Sequence, residues 1–222
     1  MVGKFKFVVT PVGLLLTFNF LLRMNKSYLQ FIYAYPLDIE FRQRFDAESK
    51  EYPSISEVRD TLQRWQELWQ TVEEEYDILA LLSELTNRTP TRALECFVFG
   101  DGLRAKSTPF LMPVINGIGK RWSDERFTEI IIHELLHIYL TTDNVRYWEY
   151  AVQQYADEES ATLHHVLLYA MLYEVFQRCF NIEPGDFRRN NLPPGYQRAI
   201  DIVRTEGHQS IIQTYVSLQK TS

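Results

Sequence analysis

Apolar positions recur with a period near two in parts of the first fifty residues and with a helical period through most of the remainder. Up to about residue 53 the chain is rich in aromatic and β-branched residues. The alternation Thr17-Phe18-Asn19-Phe20 predicts strand, whereas residues 27–35 fit strand or helix equally well. A helix is predicted over residues 55–86. Ser54 and Glu57 form the reciprocal capping pattern at its start, and Val58, Leu62, Trp65, Trp69 and Val72 make one apolar stripe. Glu73-Glu74-Glu75 marks a solvated face or a break. Residues 93–99 read as a strand closed by the turn Gly100-Asp101-Gly102. Residues 108–115 read as a second extended piece that Pro109 and Pro113 suit to an edge.

The next helix opens at Ser123, a residue type that accepts a hydrogen bond from the free N–H groups of a first turn, and Asp124 and Glu125 follow where carboxylates favour the positive end. It is predicted to end near residues 141–144. A long helical pattern over 145–180, broken once, stops at Pro184-Gly185. Two short amphipathic helices, 197–204 and 209–218, follow Pro193-Pro194-Gly195.

One stretch in this pattern carries chemistry. The run Ile130-Ile131-Ile132-His133-Glu134-Leu135-Leu136-His137-Ile138-Tyr139 places His-Glu-x-x-His in an apolar setting that predicts a core-facing helix. Residues four apart on a helix lie roughly 40° apart on one face, so His133 and His137 point two imidazoles at one metal ion with Glu134 beside them. A buried helix also accommodates histidines bonded only to carbonyls, which is the structural alternative.

Composition narrows the choices. With 222 residues, 45% apolar and 14% aromatic, the chain is long enough for a single compact unit with two lobes. A formal charge of −6 without a Lys/Arg cluster argues against nucleic-acid binding. Two distant cysteines, Cys96 and Cys179, make no disulfide framework and predict reduced thiols in a cytoplasmic protein. The apolar run over residues 5–22 contains Lys6, Pro11, Gly13 and Asn19 and no small-x-small cleavage site. It is therefore expected to form strand segments rather than a membrane helix or an export signal.

Two histidines hold zinc poorly alone, so a third ligand is expected downstream. Glu158 and Glu159 are the first candidates. Glu158, Thr162, His165 and Tyr169 fall at i, i+4, i+7 and i+11, one polar stripe on an otherwise apolar helix, which favours Glu158 over Glu159. Asp143 would need a Gly where Leu140 stands. Cys96 would follow the peptide deformylase arrangement but lacks the Gly before it and the Leu-Ser after it. His164 or His165 could replace the Glu, although His165 fits better as a transition-state group.

Together, His133, Glu134, His137, Glu158, Thr162, His165 and Val166 resemble the zincin metallopeptidases of the gluzincin type, closest to the compact single-domain minigluzincins, over roughly residues 93–215. Tyr169 stands where that pattern favours another histidine. The resemblance implies an α+β zincin-like fold, with a small, mostly antiparallel sheet packed on the active-site helix and a helical C-terminal lobe. An edge strand near residues 108–112 would lie above the cleft. Residues 54–222 would form the metallopeptidase domain, with residues 1–53 of unassigned role. It further implies Zn2+ on His133, His137 and Glu158, Glu134 as general base, His165 as a catalytic group, and a peptide or protein substrate. The alternative is a catalytically silent or latent zincin-fold protein that binds a partner in the cleft. No membrane partner is expected.

Overall fold

The computed structural model describes residues 28–90, 93–189 and 191–220. The strand expected at Thr17 to Phe20 and the apolar run over 5–22 lie outside the described residues. A four-stranded sheet of order β1-β2-β4-β3 forms the β layer, from β1 (Leu29–Tyr33), β2 (Leu94–Phe99), β3 (Lys106–Ser107) and β4 (Phe110–Pro113).

The sheet is mixed and mainly parallel, which corrects the expectation of a mostly antiparallel one. β1 runs parallel to β2 in the register Leu29 to Leu94, β2 runs parallel to β4, and only the short β3 is antiparallel to β4. The physical cause lies in the connections. Helices α1 (Tyr35–Ala47), α2 (Ile55–Tyr76) and α3 (Ile78–Thr86) carry the chain back to the end where β1 began, a crossover that requires parallel pairing. β4 is buried at every position, as befits a strand covered on both faces.

The expected edge strand is therefore internal. Thr108 and Pro109 make the β3–β4 connection and Pro113 closes β4 opposite Phe99, so the two prolines punctuate the ends of a short central strand.

One sheet face, with Phe31, Leu94, Cys96, Val98, Phe110 and Met112, joins the main core. On the other face Phe99 and Leu111 pack with Ala34 and Phe41, under α1. Helix α1 replaces structure expected to be strand-rich. Pro36 lies in its first turn, where the missing N–H costs nothing, and Asp38 follows near the positive end. Asp38 is fully buried and accepts hydrogen bonds from Tyr33 Oη at 2.6 Å, Tyr52 Oη at 2.8 Å and Gly100 N at 2.7 Å. It thereby ties α1 to the ends of β1 and β2.

Both halves of the Ser54–Glu57 capping box form, with Ser54 N donating to Glu57 Oε2 at 2.7 Å and Glu57 N donating to Ser54 Oγ at 3.2 Å. The helix predicted over 55–86 is two helices. Asp77 takes a left-handed backbone at φ 50, and Glu73 Oε2 accepts from Leu79 N at 3.2 Å, capping α3. Trp65 is fully buried and stacks on Phe127 with ring centroids 4.6 Å apart, joining α2 to the helix that carries the histidines.

That helix is α4 (Asp124–Thr141), and Ser123 caps it by accepting from Arg126 N at 3.2 Å. Every residue from Phe127 to Leu136 is buried, so α4 has little solvent face over its middle turns. The pattern predicted to break once over 145–180 breaks twice, into α5 (Val145–Tyr155), the single turn α6 (Ser160–Leu163) and α7 (Val166–Phe180). Helices α8 (Pro194–Glu206) and α9 (His208–Lys220) complete the C-terminal lobe and pack on α7. Cys96 and Cys179 are free thiols. Among the described residues no helix is long and apolar enough to cross a membrane.

Candidate metal centre

His133 and His137 project from one face of α4 with ring centroids 5.0 Å apart. The third imidazole is His165, which sits between α6 and α7, 4.9 Å from His137 and 5.6 Å from His133 by centroid. One ligating atom from each of the three lies within 4.8 Å of the others. Among the described residues no other set of three His, Cys, Asp or Glu comes together in this way.

The tautomer of His165 follows from its neighbours. Its Nδ1 lies 2.7 Å from the Ala161 carbonyl oxygen, which can only accept, so Nδ1 carries the proton and Nε2 presents a lone pair. That Nε2 is buried and meets no hydrogen-bond partner, and the same holds for His133 Nδ1. Buried polar atoms without partners are rare because each costs its desolvation. A ring nitrogen bonded to a backbone carbonyl with the opposite nitrogen free is also how metal-ligating histidines are oriented.

Burial holds all three imidazoles neutral at pH 7. It takes His137 down to about 3, with His165 and His164 adding to the shift, and His165 down to about 4. His133 lies well below the usual histidine range through burial, with His137 and His165 contributing. The neutral form is the one that binds metal.

Glu134 follows His133 on α4, is 7% exposed, makes no hydrogen bond or ion pair among the described residues, and is near enough to Tyr196, which packs on His165, for its charge to act there. Burial alone pushes its carboxyl up to about 8. Cys96, fully buried on β2, is near enough for the Glu134 charge to add to the burial that raises its thiol.

Two tyrosines wall the site. Tyr169 has its ring 5.6 Å from His133 and 5.8 Å from His165, and its hydroxyl donates to Asp186 Oδ2 at 3.1 Å. Asp186 is held in turn by Arg126 at 2.7 Å, and its N–H donates to Glu129 Oε1 at 2.8 Å. Tyr196 stacks on His165 at 4.2 Å.

Glu158, expected as the third ligand, stands outside this group. It lies in the turn after α5, where Arg198 of α8 donates to both of its oxygens, the shortest contact being 2.6 Å. The polar stripe that linked Glu158 to His165 presumes one continuous helix, and the chain turns between Tyr155 and Ser160. A sequence signal for the turn exists. Asp157-Glu158-Glu159 sets three successive carboxylates in the chain, a run that suits a solvated turn better than the middle of a core-facing helix. Glu159, the other glutamate weighed, is the exposed residue flanking α6, Asp143 is exposed at φ 49, and neither joins the trio. His164 turns away and packs edge-on against Trp148 at 4.7 Å. His165, expected to act on the transition state, is the third member of the trio that could hold a metal ion.

Comparison with protein-family models, with curated proteins and with solved structures finds no match to this chain.

Proposed function

We propose that the chain is a zinc-dependent peptide hydrolase whose metal is held by His133, His137 and His165 and whose general base is Glu134. The observation that carries this reading is the buried trio of neutral imidazoles, two with unpartnered ring nitrogens, beside an unpaired buried carboxyl. Three imidazoles suit zinc, and three protein ligands leave a position open for substrate chemistry. Zinc held by His133, His137 and His165 would supply Lewis-acid chemistry, polarising a carbonyl and making water a better nucleophile.

Glu134 would accept a proton from the attacking water and return it to the leaving amine, the positive charge of a bound metal favouring its carboxylate form against the burial that lifts it to about 8. The Ala161 carbonyl holds the His165 ring in the tautomer that keeps Nε2 free. Tyr169 packs between His133 and His165 and excludes water from that side, its hydroxyl anchored on Asp186.

A peptide substrate is supported by the edge of the sheet. β3 lies against α4 and has one pairing edge without a strand among the described residues, an edge on which an extended chain can add by main-chain hydrogen bonds. The test is Glu134→Gln. That variant keeps one zinc per chain by elemental analysis and loses peptide hydrolysis by about 10²–10⁴-fold. Undiminished hydrolysis would overturn the assignment, as would a wild-type protein that takes up no metal.

A further inference from the structure

His165 differs from the other two members of the trio in what holds it. His133 and His137 stand within a long helix that is buried around its middle turns, whereas His165 stands at a junction: its carbonyl caps α7 by accepting from Tyr169 N at 2.8 Å, but the carbonyl that orients its ring belongs to α6, a single helical turn with too few residues to hold itself in place. The support of α6 includes the first turn of α8. Thr162 Oγ1 of α6 donates to the Gly195 carbonyl oxygen at 3.1 Å. Gly195 packs so closely on α6 that a Cβ there would lie 2.7 Å from Ala161 Cβ and 3.3 Å from Thr162 N. The backbone at Gly195 is not left-handed, so close approach is what demands glycine there. Tyr196 stacks on the His165 ring itself, and Arg198 holds Glu158 at the entrance to α6.

The carbonyl that orients His165 belongs to Ala161, the residue against which Gly195 is pressed. A displacement of α6 by α8 therefore moves the hydrogen-bond acceptor and the ring it holds together.

We propose that Gly195, with Tyr196 and Arg198, forms a clamp that positions His165, so that metal affinity at the trio is set from α8 by residues that are not themselves ligands. This inference rests on the reading of the trio as a metal site. It assigns positioning roles to a helix whose sequence offered only a Pro-Pro-Gly stop. Because coupling is reciprocal, metal binding also tightens the docking of α8 on α6.

The experiment is a Co2+ titration of the full chain, following Kd and the visible absorption band, whose intensity reports coordination number. Gly195→Ala weakens Co2+ binding by roughly 10–100-fold, the usual scale for losing the support of a ligating histidine, and lowers the band as more than one water enters in place of His165 and raises the coordination number. Adding Ala161→Gly to that variant removes the clashing Cβ and moves both readouts back toward wild type. An unchanged Kd and band in Gly195→Ala, or no recovery in the double variant, would overturn the clamp. If Gly195→Ala does not fold by far-ultraviolet circular dichroism, Thr162→Val carries the test. It removes only the hydroxyl bond to Gly195, and Kd is expected to rise several-fold, an unchanged Kd again overturning the clamp. A wild-type chain that takes up no Co2+ refutes the metal site itself and the clamp with it. Tight wild-type binding with indifferent variants refutes the clamp alone.

Discussion

With the trio free of metal, lowering the pH should cost the protein much of its stability, and the size of the effect follows from the burial of the three imidazoles. In the unfolded chain each histidine takes up a proton near pH 6.5, whereas in the metal-free fold His137 does so at about 3, His165 at about 4 and His133 well below its usual value. Below pH 6.5 the unfolded state therefore binds three protons that the native state does not. Their contribution to stability, present above pH 6.5, is lost as pH falls toward the folded values. Glu134 acts in the opposite sense. Its folded value of about 8 lies above the ordinary 4.5, so the native state binds the extra proton between those limits and gains stability as pH falls through them.

From pH 6.5 to 4.5 the balance is three protons minus one, and two protons correspond to about 2.7 kcal/mol per pH unit at 1.36 kcal/mol each. Burial raises Glu129 as well and trims this figure. Over two pH units the loss reaches roughly 3–5 kcal/mol, a large share of the 5–15 kcal/mol that stabilises a typical domain. The assay is urea unfolding of chelator-treated protein, followed by tryptophan fluorescence at intervals from pH 8 to 4.5. His165→Asn, which removes one of the three histidines, should lower the slope by about 1.4 kcal/mol per pH unit. Stability that stays level or rises between pH 6.5 and 4.5 would refute the reasoning, as would a His165→Asn slope equal to that of wild type.

Two further outcomes test the assignment of the ligands and the core around them. Glu158→Gln should keep one zinc per chain on dialysis, the lost contact with solvent-exposed Arg198 costing little stability and weakening metal affinity at most several-fold, whereas His165→Ala should lose zinc on dialysis; elemental analysis of both proteins distinguishes them. Trp65→Ala should destabilise the fold by about 3–5 kcal/mol in chemical denaturation, because Trp65 is fully buried and stacked on Phe127 of the helix that carries His133 and His137.

Local chemistry was legible in the sequence, and chain reversal was not. Ser54 and Ser123 mark the starts of α2 and α4 because a cap is a contact between residues three apart, and the apolar run around His133 announces a buried helix. The pairing of β1 with β2 is different. Leu29 meets Leu94 across three helices, and nothing in either strand states its direction. Prolines misled because Pro109 and Pro113 fit a strand end as well as a sheet edge. The stripe from Glu158 to His165 is not formed, because helical spacing has meaning only while the helix continues. The acidic run Asp157-Glu158-Glu159 was the available warning. The trio needed His165, one of the two adjacent histidines, to be chosen over Glu158, and that choice depends on where α6 begins and on its contact with α8.

The parallel pairing of β1 with β2 also bears on how the molecule is assembled. Joining Leu29 to Leu94 closes a loop of about 65 residues, for which chain entropy costs roughly 4 kcal/mol, while bringing His137 to His165 closes one of about 28 for roughly 3 kcal/mol. The scaffold thus demands a longer excursion of the chain than the site it supports. The trio is drawn from the second half of the polypeptide, and the costliest closure in the β layer lies wholly in the first. Chain connectivity therefore separates the step that builds the sheet from the step that gathers the histidines, and α4, packed against both, is the element through which the two must agree.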